Sequence, residues 1–130
     1  MNGLHVVDSS GWLEHLAGGP NARHFAAPLG DPSRLLVPTI SLYEVFRVVL
    51  RERGEDDALE AAAAMRRGRE IALSPTLALE AAGLAHDRGL AMGDAIILAT
   101  AQANRATLWT QDSDFEGVSG VRYYAKTAAP

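Results

Sequence analysis

Apolar and polar positions along the chain alternate between two periods. Short β-branched runs at 4–8 ("LHVVD"), 34–38 ("RLLVP"), 70–74 ("EIALS") and 107–112 ("TLWTQD") read as strands, with "GVRYY" at 120–124 as a possible fifth. Between them the spacing turns helical. Helices are predicted over 9–17, 20–29 (ended by Pro28), 41–53, 55–68, 75–88 and 93–106. In the 41–53 segment Leu42, Val45, Phe46, Val49 and Leu50 share one stripe, and Arg47 and Arg51 share another. Ser9 or Ser10 is available to cap the first helix, with Gly18 to stop it, and Ser74-Pro75 opens the helix that Gly89 ends. The acids of 55–57 and the arginines at 66–67 suit the two ends of the 55–68 helix dipole. Strands alternating with helices imply an α/β chain with a mainly parallel sheet of four or five strands, covered on both faces. Sites in such sheets gather outside the carboxyl ends of the strands.

Composition narrows the chemistry. The 130 residues fit a single domain over 1–130, and 48% of them are apolar, enough for a core. There is no cysteine, which excludes a disulfide framework, a thiolate nucleophile and a cysteine-bound zinc, and suits a reducing cytoplasm. Asp8 and Glu14 interrupt any signal-peptide pattern, and no apolar run is long enough to span a membrane. The net charge of −4 argues against broad electrostatic capture of nucleic acid, unless acids clustered in one place mask basic residues elsewhere.

Acids at four places along the chain fall at the sheet edge where a site belongs. Asp8 ends the first strand. Glu44 follows Ser41 by three residues in "SLYE", a capping-box spacing. Asp94 opens an apolar helix after Gly93, and Asp112 and Asp114 stand where the fourth strand becomes a turn. Capping, the helix dipole (for Asp94) and turn formation explain each of them singly. Jointly, on neighbouring parallel strands, they point into one crevice, where close carboxylates repel unless a cation neutralises them. An all-oxygen set selects Mg²⁺ or Mn²⁺. Ser9, Ser41 and Thr110 are candidate donors that would orient the acids.

The motifs "VVDSS", "PTISLYEV", "GDAIILATA" and "LWTQDSDF", in that order across nearly the whole chain, resemble the PIN domain, and within it the VapC-type toxin ribonucleases of toxin–antitoxin pairs. The resemblance implies a three-layer α/β/α sandwich and Mg²⁺- or Mn²⁺-dependent cleavage of RNA. It makes Asp8, Glu44, Asp94 and Asp112 the catalytic and metal-binding quartet, with Asp114 a further possibility. It also implies a homodimer and a small cognate antitoxin, for which the helices 41–53 and 55–68 would form the groove. Arg47 and Arg51 are candidate RNA contacts, as are Arg66, Arg67 and Arg69, though all are equally explained as solvated helix faces. His5, His15, His24 and His86 lack catalytic spacing, and Trp12 and Trp109 read as core.

Two other classes compete. One is a non-catalytic PIN-fold binding module whose acids are caps and whose ligand is a protein partner. The other is a receiver-like domain with a phosphorylatable Asp, which expects a lysine near the site, whereas the only lysine is Lys126 in the tail.

Overall fold

The computed structural model describes residues 3–127. Five strands form one sheet: β1 (His5–Val7), β2 (Leu35–Pro38), β3 (Arg69–Ile71), β4 (Thr107–Thr110) and β5 (Val121–Tyr123). Their order is β3-β2-β1-β4-β5, and every neighbouring pair is parallel. The connecting helices are α1 (Ser9–Ala17), α2 (Ala22–Leu29), α3 (Thr39–Arg53), α4 (Glu55–Met65), α5 (Pro75–Arg88) and α6 (Met92–Ala103).

Successive strand residues serve opposite faces, as the two-residue period requires. Val6, Leu36 and Leu108 join a cluster with α5 and α6, while Val7, Val37 and Trp109 join one with Trp12, Phe25, Val45 and Met65 from α1 to α4. Both faces are covered, which gives the expected three-layer α/β/α sandwich and explains why the strands are almost wholly apolar. The exposed edge strand β3 is short and carries Arg69 and Glu70, which blunts it against further pairing. Helix α6 is buried from Ala95 through Thr100 to Ala101, so the apolar "AIILATA" run spans the middle of its layer.

The chain lays down β1, builds outward through β2 to β3, then crosses back to place β4 on the other side of β1. The connections leaving β1 and β4 therefore diverge, and a crevice opens between the carboxyl ends of those two strands.

Several local expectations are corrected. The first helix is capped by Asp8 and not by Ser9 or Ser10: the Asp8 carboxylate accepts from the Gly11 amide. Ser41 is no cap either, because Pro38 is extended and α3 is already helical at Thr39, so the capping-box reading of "SLYE" fails. Glu44 lies in the second turn as a result. Helix α4 stops at Met65, which leaves Arg66 and Arg67 beyond its last turn, and Arg66 pairs instead with Glu70 at 2.6 Å. Strand β3 spans 69–71 and not 70–74, β4 ends two residues before Asp112, and Pro28 lies inside α2 without ending it. Other signals are realised as written. Ser74 Oγ accepts the Leu77 amide at 3.1 Å, Pro75 opens α5, and Gly89 closes it at φ 69°, a left-handed angle that glycine adopts without strain. Trp12 and Trp109 are buried, and His5 accepts a hydrogen bond from Trp109 Nε1.

Candidate metal centre

Asp8 leaves β1 at the sheet's carboxyl edge with its backbone still paired to β4, its amide donating to the Trp109 carbonyl. Its side chain is 2% exposed, yet both oxygens are occupied. Oδ1 accepts from the Gly11 amide (2.9 Å) and Ser10 Oγ (2.8 Å), and Oδ2 accepts from Thr110 Oγ1 (2.7 Å). Burial pushes the carboxyl up to about 6. The donations from Thr110, Gly11 and Ser10 pull against that shift, and the neighbouring Asp112 charge adds to it.

The Thr110 hydroxyl has one proton to give and lone pairs to spare, and it uses both. It donates to Asp8 and accepts the Asp112 amide at 2.9 Å, tying the loop after β4 to the end of β1. Asp112 in turn accepts the Asp114 amide at 2.9 Å, an aspartate turn that folds the loop back. Through this turn one carboxylate oxygen each from Asp94, Asp112 and Asp114 comes to lie within 4.8 Å of the others.

Asp94 stands in the first turn of α6. Its carboxyl is pushed up to about 7, first by burial and then by the charges of Asp112, Asp8, Glu44 and Asp114. All the acids singled out from the sequence thus act on Asp94. They divide into a tight group (Asp94, Asp112, Asp114) and two flanking members, Asp8 and Glu44. Asp114, a secondary candidate by sequence, belongs to the tight group.

Glu44 arrives from α3, where Ser9 Oγ donates to its Oε1 at 2.6 Å. Its other oxygen lies over Gly93, so closely that a Cβ at that position would overlap the carboxylate. Gly93 is therefore what lets α3 and α6 bring Glu44 and Asp94 together, a role invisible without the fold. Ser9 and Thr110 both donate hydrogen bonds to acids of the group, to Glu44 and to Asp8. Ser41 does not: it is fully buried and its Oγ has no hydrogen-bond partner among the described residues. Ser10, a candidate cap by sequence, instead donates to Asp8, and its position two residues after an acid that begins a helix is a common one for such a bond.

Arg47 and Arg51 are exposed on α3, and Arg51 is bound to Glu52 at 3.1 Å. Arg47 follows Glu44 by three residues and so shares its side of the helix. Among the described residues, no helix is long and apolar enough to cross a membrane.

The chemistry of the donor set fits a hard divalent cation. Every group is a carboxylate, no histidine or thiolate enters, and the acids raise one another's affinity for positive charge.

Comparison with known proteins agrees with this architecture. The chain resembles a toxin–antitoxin complex from Klebsiella pneumoniae with 26% identity and a TM-score of 0.79, over 94% of this chain and 99% of that one. It resembles Mycobacterium tuberculosis VapC20, a sarcin–ricin loop cleaving toxin, with 20% identity and a TM-score of 0.73, over 88% and 95% of the two chains. VapBC2 from Rickettsia felis, solved with a fragment of promoter DNA, matches with 17% identity and a TM-score of 0.69, over 94% and 98%. These last two likenesses speak to the fold alone. No curated protein matches the chain. The sequence profile of the PIN domain matches residues 5–121, nearly the whole length, and the chain belongs to the PIN domain family.

Proposed function

We propose that the protein is a Mg²⁺- or Mn²⁺-dependent endoribonuclease, the toxin of a toxin–antitoxin pair, acting on RNA in the cytoplasm. The observation that carries this is the convergence of Asp94, Asp112 and Asp114, flanked by Asp8 and Glu44, in the crevice where β1 and β4 diverge. Asp8, Glu44, Asp94 and Asp112, with Asp114, are the residues that would hold the ion. When bound, a divalent cation neutralises such acids, acidifies water and stabilises charge on phosphodiester oxygens.

The chain's own contribution is to hold these oxygens in place beforehand. Thr110 and Ser10 fix Asp8 in one orientation, Ser9 fixes Glu44, and the aspartate turn aims Asp112 and Asp114 at Asp94. Arg47, on the Glu44 side of α3, is the better placed of the two arginine candidates for an RNA phosphate, since Arg51 already pairs with Glu52.

A small antitoxin is the proposed protein partner, and a homodimer the proposed assembly. The antitoxin's place is a groove of about 490 Å³ between α1, α3 and α4, lined by Ser10, Leu13, Val49, Asp57, Ala61 and Gln111. It includes the α3 and α4 helices expected from sequence and adds α1.

The binding-module alternative is not favoured. Caps would account for acids at helix starts, but Glu44 lies in the second turn of α3, and the start of α6 has no side-chain cap. Capping therefore explains Asp8 but not Glu44, and the helix dipole that suits Asp94 in the first turn of α6 does not account for its being set among four other acids. The deciding experiment is cleavage of purified RNA by the wild type and by Asp94→Asn, with Mn²⁺ and with EDTA. Cleavage by the wild type that needs Mn²⁺ and is lost in folded Asp94→Asn is the expected result. Equal cleavage by both proteins, or none by the metal-loaded wild type on any RNA, would refute the reading.

A further inference from the structure

Gln111 sits between the two chemically engaged residues Thr110 and Asp112, yet its own side chain faces the groove between α1, α3 and α4. It is 7% exposed, an unusual degree of burial for a glutamine. The burial is matched by partners. Its Oε1 accepts from Asn21 Nδ2 at 3.1 Å, and its Nε2 donates to Glu14 Oε1 at 3.3 Å. Glu14 closes the ring: its other oxygen accepts the Asn21 amide at 2.7 Å. Asn21 spends its second amide proton on the Ala125 carbonyl at 2.9 Å. The ring joins α1, the α1–α2 loop, the loop after β4 and the segment after β5. Gly19 makes room for it, since a Cβ there would lie 2.5 Å from the Glu14 carboxylate.

The loop so anchored carries Asp112 and Asp114, whose carboxylates crowd Asp94. Like charges at that range push the loop away from α6 whenever no cation is bound. Thr110 holds the loop from the β1 side through the Asp112 amide, and Gln111 is placed to hold it from behind. The geometry points to Gln111 as a positioning residue of the metal centre: held by Glu14 and Asn21, it pins the Asp112–Asp114 loop against the mutual repulsion of the acids. It touches neither substrate nor metal. The inference rests on the proposed metal site for its purpose, though not for its mechanics.

The test uses the full-length chain. Gln111→Met keeps the volume of the side chain and removes its hydrogen bonds. In EDTA, hydrogen exchange at the amides of 112–116 is expected to quicken about tenfold, while β1 and the middle of α6 keep their protection. By calorimetry, Mn²⁺ affinity is expected to weaken about tenfold, the usual range for a residue supporting a ligand. Turnover is expected to drop with KM little changed.

The double variant Glu14→Gln/Gln111→Glu exchanges donor and acceptor and can keep every bond of the ring. It is expected to bind Mn²⁺ within about threefold of wild type, whereas Gln111→Glu alone sets two carboxylates together and binds as weakly as Gln111→Met. Wild-type exchange and affinity in Gln111→Met would overturn the inference, as would a double variant no better than Gln111→Glu. If Gln111→Met does not fold, the comparison of double and single variants decides. If the wild type binds no Mn²⁺, the metal-centre proposal fails, and the exchange experiment in EDTA still judges the clamp.

Discussion

Two acids at the same rim of the sheet live in opposite conditions. Asp8 is almost fully enclosed and accepts from three donors, whereas Asp94 is only partly buried and no hydrogen bond to its carboxylate is found among the described residues. Burial alone would give Asp8 the higher pKa. Yet Asp8 stands no higher than Asp94, about 6 against about 7, because donors offset the burial of the first while four like charges add to that of the second. Asp8 is therefore part of the fold's own bonding, and Asp94 is a charge waiting for a counter-charge. The same residue type at the same edge serves both ends.

Removing each acid should separate these roles most sharply. Both Asp8→Ala and Asp94→Ala are expected to lower Mn²⁺-dependent cleavage by more than about 100-fold, beyond the loss typical of supporting residues. Their stabilities should move in opposite directions. Asp8→Ala strips the α1 cap and leaves Thr110 and Ser10 without their acceptor, for a loss of about 1–3 kcal/mol. Asp94→Ala relieves repulsion and favours the helix, so the metal-free chain should melt higher at pH 8. Thermal unfolding in EDTA checks both, and a destabilised Asp94→Ala would dissolve the contrast.

Titration gives the next largest effect. A folded-state pKa above the ordinary 3.8 means that the native chain binds the proton more tightly than the unfolded chain, so deprotonation destabilises it. The metal-free protein should be most stable near pH 4 with respect to these groups and lose that stability as the pH rises to about 7. Mn²⁺ affinity should climb over the upper part of the same range, because the ion displaces those protons. Asp94→Asn should flatten much of both dependences, as followed by melting in EDTA and by calorimetry at several pH values.

Smaller perturbations probe the support. Gly93→Ala would normally favour a helix, but here its Cβ overlaps Glu44, and the strain is expected to be about 1–3 kcal/mol together with weaker Mn²⁺ binding. Ser9→Ala removes one donor to Glu44 at a partly exposed position and should weaken Mn²⁺ binding about fivefold, or about 1 kcal/mol, with little change in melting temperature. An effect of Ser9→Ala equal to that of Asp94→Ala would show that the flank matters as much as the tight group.

Much of this was legible in the chain because local rules govern it. The two periods of hydrophobicity gave the parallel sheet and its two covers, and Ser74, Pro75 and Gly89 marked α5 from end to end. Boundaries failed where local rules compete. Ser41 and Glu44 have the spacing of a capping box, but the turn at Pro38 starts α3 earlier and sends Ser41 into the interior. The two serines after Asp8 offer themselves as caps, yet it is Asp8 that caps α1 and also accepts from Thr110. The contacts that complete the site join distant segments: Gly93 against Glu44, Ser9 with Glu44, Gln111 with Asn21. No periodicity encodes such pairs: β2 beside β1 brings α3 to α1, and the crossover from β3 back to β4 brings α6 and the loop after β4 to them.

That crossover has a consequence for synthesis. Asp8 and its partner Thr110 are 102 positions apart, and β1 at the centre of the sheet gains its second neighbour only when β4 has been made. A nascent chain, or one broken off after α6, carries Asp8, Glu44 and Asp94 but lacks Thr110, Gln111, Asp112 and Asp114. The acidic centre is thus complete only once β4 and the loop after it have been made, and a chain stopped before them holds Asp94 without Asp112 and Asp114.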